Sequence, residues 1–298
     1  MRISTAFTQQ TSLSSLLDQQ AKMNKTQMQL SSGKKNLTPA DDPMAAAKVV
    51  DLNQTIKQTE QYQSNINSTR QRLGLADGVL QSAVDLMHKV KDLGVQGLNG
   101  SNSPSDRIAI ATEMRALNEQ LAGLANTQNA NGEYIFSGFN SNQPSFTETA
   151  PGSGLYSYGG SASGPRVLQI SADRQMADGD LGTSVFGTPG VDSTLEAIDK
   201  FATAMKNNTP SAASLDDLKT ALDKIITTQS SVGVRLNTLD RQEENHLDYA
   251  AEMTKVLSDT EDLDYASAIS KFNLQNTSLQ AAQQSFAKVQ NLSLFKYL

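Results

Sequence analysis

The chain has 298 residues, 5% aromatics, no tryptophan, no cysteine and a formal net charge of -6. The missing cysteines exclude a disulfide framework, a thiolate nucleophile and a thiolate metal site, and the acidic balance argues against a nucleic-acid partner. No apolar run reaches the roughly 18 residues of a membrane span, so no membrane partner is expected, and Met1 to Leu30 lacks the apolar core of a cleaved secretory signal.

From Thr5 to about Leu30, the residues Leu13, Leu16, Gln20, Met23, Gln27 and Leu30 recur by threes and fours, which predicts an amphipathic helix with a coiled-coil seam. The glutamines weaken such a seam while fixing its register. A connector follows. Gly33 can end the helix in a left-handed conformation, Pro39 bars helix across the loop, and Asp42 before Pro43 reads as an N-cap with proline at the first helical position. Asp41 and Asp42 form a carboxylate pair, for which capping is a simpler reading than acid/base chemistry.

From Pro43 to about Leu98 one heptad register runs through Val49, Leu52, Ile56, Ile66, Leu73, Leu80, Val84 and Met87, a rod of about 80 Å at 1.5 Å per residue. Gly97 to Pro104 breaks it, and a helix bearing Ile110, Met114, Leu117, Leu121 and Leu124 is expected to fold back antiparallel. Between Tyr134 and Pro189 the composition shifts to Gly, Ser, Tyr and Pro, with short strands expected at Tyr134 to Phe136, Leu155 to Tyr158 and Val167 to Ile170. A helix from Thr194 to about Met205 leads into a long return helix that carries Leu218, Leu222, Ile225, Val232, Leu236, Leu239, Ala250, Met253 and Leu257. The last stretch repeats the seam pattern at Tyr265, Ala268, Phe272, Gln275, Leu279, Ala282, Phe286 and Val289, then runs through Leu292, Leu294, Phe295 and Leu298. Nothing near it in sequence closes over that seam, so it needs a partner, either the matching first helix or another subunit.

The expected fold is mainly α: an elongated antiparallel helical bundle with terminal coiled-coil helices and a small inserted β domain. The paired ends span 1–43 and 262–298, the bundle 44–133 and 191–261, and the insertion 134–190. The expected interface is Leu13, Leu16, Met23 and Leu30 on the first helix, with Tyr265, Ile269, Phe272, Leu279, Phe286, Val289, Leu292, Leu294 and Phe295 on the last. Gly33, Pro39, Asp41, Asp42 and Pro43 form the connector.

Chemistry finds little support. His88 and His246 are the two histidines, one in each long helix, and neither has a cysteine or a glycine-flanked nucleophile beside it. Asp259, Glu261, Asp262 and Asp264 lack the glycine and closing glutamate of a calcium loop, and Ser32-Gly33-Lys34 lacks the first glycine of a phosphate loop. No catalytic residue, metal ligand or cofactor is expected.

The connector Leu30-Ser31-Ser32-Gly33-Lys34-Lys35-Asn36-Leu37-Thr38-Pro39-Ala40-Asp41-Asp42-Pro43, set beside Ser285-Phe286-Ala287-Lys288-Val289-Gln290-Asn291-Leu292-Ser293-Leu294-Phe295, resembles the signature of the bacterial flagellin family. Both ends and about half the chain carry the resemblance. The opening Met1-Arg2-Ile3-Ser4-Thr5, the string Ala125-Asn126-Thr127 through Asn131-Gly132-Glu133-Tyr134-Ile135-Phe136-Ser137-Gly138 and the short middle resemble a subunit at the junction of hook and filament. The self-polymerising filament subunit is the alternative. The resemblance implies an extracellular flagellar component, exported by the flagellar secretion apparatus. It further implies a homo-oligomeric ring between an adjacent hook-associated protein and filament flagellin, ends that order on assembly, and an export chaperone on the C-terminal helix.

Overall fold

The computed structural model describes residues 5–150 and 152–291. In chain order the elements are α1 (Thr5–Ser32), α2 (Pro43–Leu98), α3 (Pro104–Ala125), β1 (Phe146–Glu148), β2 (Tyr156–Tyr158), β3 (Val167–Gln169), β4 (Gln175–Ala177), α4 (Gly182–Phe186), α5 (Thr194–Lys206), α6 (Ala212–Glu261) and α7 (Tyr265–Asn291). The chain is mainly helical, with two small antiparallel hairpins. Contacts divide it into two compact units, one made of Met1–Gln58 with Asp248–Leu298 and the other of Thr59–Leu247. The division falls inside α2 and α6.

In the Thr59–Leu247 unit, α2 and α6 run antiparallel, as shown by the side-chain pairs Gln63 with Glu243, Arg70 with Asp240 and Gln81 with Gln229. Ile66, Leu73, Leu80 and Met87 from α2 meet Leu218, Ile225, Val232 and Leu239 from α6 in one core, the expected heptad faces. α3 starts on a capping box between Ser103 and Asp106 with Pro104 inside the first turn. It folds back and packs against α5. There the Arg115 guanidinium donates to Asp199 at 3.0 Å, and the buried Asn118 amide donates to the Leu195 carbonyl at 2.9 Å.

The hairpins pair Phe146 with Tyr158 and Val167 with Ala177. Tyr134 to Phe136 is not the expected strand. Tyr134 makes only an isolated bridge to Gln128, and Phe136 turns inward to meet Phe186 edge-on at 5.5 Å. Scattered backbone bonds join this aromatic packing in place of a regular ladder. The Tyr134 N–H donates to the Ser141 carbonyl at 2.8 Å, the Ile135 N–H to the Thr127 carbonyl at 3.1 Å and the Gly182 N–H to the Phe136 carbonyl at 2.8 Å. β1, β4 and the short α4 were not expected. The free edge of β1 is closed by the amide of Asn126, which donates to the Phe146 carbonyl at 2.7 Å and accepts from its N–H at 2.8 Å. One side chain thus stands in for a strand.

The two histidines stay apart. His246 is buried, donates from Nε2 to the Ile170 carbonyl at 2.7 Å and stacks on Tyr62 at 5.8 Å. His88 is exposed and lies roughly 40 Å beyond Tyr62 along α2 at 1.5 Å per residue. A joint histidine site is therefore excluded. Among the described residues no group of three or more His, Asp and Glu is placed to hold a metal ion.

Candidate assembly interface

The connectors that lead out of α1 and into α7 meet as a clasp. The Lys35 N–H donates to the Glu261 carbonyl at 2.8 Å and the Leu263 N–H to the Gly33 carbonyl at 2.9 Å, a two-bond antiparallel ladder around the bridge from Lys34 to Asp262. The Lys34 ammonium pairs with the Glu261 carboxylate beside it. Gly33 has φ +71, and a β-carbon there would lie 2.8 Å from the Tyr265 hydroxyl, so both backbone and space require glycine. Because the end of α1 meets the start of α7, the two helices run antiparallel.

Each carboxylate of the connector has its own task. Asp42 Oδ1 accepts from the Ala45 N–H at 3.0 Å and caps α2, with Pro43 as its first residue. Asp41 Oδ2 accepts from the Leu37 and Thr38 N–H groups at 3.0 and 3.1 Å, and Oδ1 pairs with the Lys25 ammonium of α1. The hydrogen bond from Lys25, then that from Thr38, holds the Asp41 carboxyl below its ordinary 3.8, at about 2. Asp264 caps α7 by accepting from the Ala266 N–H at 3.0 Å. These acids are structural, and the sequence pattern identified Asp42 but not the part Asp41 plays.

Above the clasp α1 packs on α7. On α7 the inward face is Ala268, Phe272, Gln275, Leu279, Ala282 and Phe286, as the spacing predicts, with Ala268 and Leu279 buried. On α1 the inward face is Leu16, Gln19, Met23, Thr26 and Leu30, with Thr26 buried. Gln20 and Gln27, expected in the seam, are exposed, as is Leu13. Leu13, Leu16 and Leu17 are apolar on neighbouring faces, so spacing alone allowed a register displaced by about one residue. Gln275 does occupy the seam, and its Oε1 is buried with no hydrogen-bond partner.

The pair leaves much apolar surface uncovered. Phe7 is 68% exposed, Leu17 56% and Leu274 69%; Tyr265 and Ile269 are also half open. Leu16, Met23, Leu30, Phe272 and Phe286 are half-buried. Val289 lies in α7, but its side chain, with Leu292, Leu294 and Phe295, lies outside the described residues. Tyr265 does other work than the seam spacing suggested, standing against Gly33. Of the opposite charges carried by Lys34-Lys35 and by Asp259 to Asp264, those of Lys34 and Glu261 pair across the clasp.

The terminal unit is a helix pair with a thin seam, exposed apolar flanks and a bonded connector. The family model for the bacterial flagellin N-terminal helical region matches residues 3–141, and that for the C-terminal helical region matches residues 215–298. The chain belongs to the bacterial flagellin family. The chain is 32% identical to the flagellar hook-associated protein 3 of Escherichia coli (strain K12), with 99% of each chain covered. Polar flagellin A of Vibrio parahaemolyticus is 30% identical over 38% of this chain and 30% of its own length. The fold is shared with a putative flagellar hook-associated protein from Vibrio parahaemolyticus, at a TM-score of 0.65 and 24% identity over 74% of this chain and all of that one.

Proposed function

We propose that this chain is a structural subunit of the bacterial flagellum that joins the hook-associated ring to the filament through its paired terminal helices. The observation that carries this reading is the α1–α7 pair: antiparallel, clasped at one end, and apolar on faces its own chain leaves open. Neighbouring copies in a ring cover those faces, so burial between molecules offsets the entropy of ordering the ends. The Thr59–Leu247 unit sets orientation and carries the two hairpins. An adjacent hook-associated protein and filament flagellin are the partners on either side. Before assembly the same apolar face on α7 needs cover, the task of an export chaperone during passage through the flagellar secretion apparatus.

Full-length similarity to hook-associated protein 3, against partial similarity to filament subunits, favours the junction over the filament reading. Self-assembly separates the two. The purified chain is expected to remain short of long filaments alone and to add to structures ending in a hook-associated partner. Long filaments formed by this chain unaided would overturn the junction reading in favour of a filament subunit.

A further inference from the structure

The molecule carries two exposed Asn-Gly pairs, Asn99-Gly100 and Asn131-Gly132, and folds them in opposite ways. At the second pair the Gly132 N–H donates to the Asn129 carbonyl at 3.0 Å, in a turn that holds Gly132 at φ +78. The Asn131 N–H is tied as well, to Asn129 Oδ1 at 2.9 Å. At the first pair the Gly100 N–H makes no hydrogen bond among the described residues. The side-chain oxygen of Asn99 instead accepts from the Ser101 N–H at 3.0 Å.

We propose that Asn99 is a site of spontaneous, backbone-assisted deamidation, and that the fold protects Asn131 from the same reaction. The reactants are the chain and water. Hydroxide takes the Gly100 amide proton and the nitrogen attacks Asn99 Cγ, forming an N–Cγ bond while negative charge develops on Oδ1. The Ser101 N–H already faces that oxygen, so it stabilises the charge as it forms. The Cγ–Nδ2 bond then breaks, and ammonia leaves after taking a proton from water. Water opens the five-membered imide at either carbonyl, giving aspartate or isoaspartate. At Asn131 the attacking nitrogen must first lose its turn hydrogen bond, and no donor to the Asn131 side-chain oxygen is found among the described residues.

The consequence is local and electrostatic. A carboxylate arises on the residue whose carbonyl accepts from Arg107 Nη2 at 3.2 Å. Arg107 also donates to the Gly97 carbonyl at 3.2 Å and to Asn208, so the new charge lands beside the cation that ties the α2–α3 turn to the turn after α5. The isoaspartate product adds a carbon to the backbone and breaks the turn bond from the Asn102 N–H to the Asn99 carbonyl, 3.2 Å in the intact form.

The test is to incubate the full chain at mildly alkaline pH, folded and in urea, and to follow both asparagines by peptide mapping and isoaspartate labelling. The folded chain is expected to convert Asn99 severalfold faster than Asn131, and urea should bring the two rates together. Equal rates in the folded chain, faster conversion of Asn131, or an inert Asn99 would each overturn the proposal. Gly100→Ala meets nothing within 4 Å, so the variant is expected to fold normally and slow conversion of Asn99 severalfold. Unchanged conversion in that variant would exclude the backbone route.

Discussion

The two units spend the same helical material differently. Between Thr59 and Leu247 a continuous core draws on α2, α3, α5, α6 and the hairpin region, with Phe136, Phe146, Phe186 and Phe201 fully buried. In the unit formed by the chain ends, Leu52, Ala268 and Leu279 are the buried hydrophobic residues among those described. In the terminal unit α1 and α7 offer each other one face apiece, whereas in the other unit faces of α2, α3, α5 and α6 close on one shared core. Completeness of burial, not helix content, is what distinguishes the two units.

The sharpest way to break that contrast is to cut one large side chain from each unit. Phe201→Ala removes a fully buried ring and is expected to destabilise the core by about 3–5 kcal/mol, read as a fall in its melting temperature. Leu279→Ser should shift the same transition by less than about 0.5 kcal/mol yet stop incorporation into the flagellum. If Leu279→Ser melted the core, the terminal helices would belong to it. Gly33→Ala comes next. Its left-handed backbone costs about 1–2 kcal/mol for a side chain, so helix signal from the terminal pair should fall while the core transition holds. Gln275→Leu runs the other way and is expected to strengthen the pair by about 1 kcal/mol, because it replaces a buried unpartnered oxygen with apolar surface. A weaker pair in that variant would mean the glutamine has a partner in solution.

The smallest effect is a pH dependence confined to the connector. The folded Asp41 carboxyl sits at about 2 against an ordinary 3.8. Its contribution is therefore fully present above about pH 4 and is lost as the pH falls from there through about 2. Terminal helix signal should weaken over that window, and Asp41→Asn should remove the dependence.

Periodicity made the helices legible. Long runs such as Ile66 to Met87 keep one heptad register, so the helices and a common bundle followed from spacing, whereas the pairings of α2 with α6 and of α3 with α5 did not. α1 was less determinate because Leu13, Leu16 and Leu17 support two adjacent seams, and the choice between them is made by α7 in space. The hairpins were only half legible. Val167 to Gln169 is a strand with β-branched and apolar character, whereas β4, Gln175 to Ala177, has no pattern of its own and exists because β3 lies opposite. At the connector, Asp42 and Pro43 announced a cap by their order. The ladder joining Lys35 to Glu261 is a backbone contact between segments more than two hundred residues apart, which no local pattern encodes.

Hydrogen exchange on the free chain and on the assembled flagellum, read segment by segment, tests the central claim most directly. Amides of α1 and α7 are predicted to exchange fast in the free chain and slowly once assembled, while those of α2 and α6 between Thr59 and Leu247 stay protected in both. Terminal helices already as protected in the free chain as the core would contradict the account.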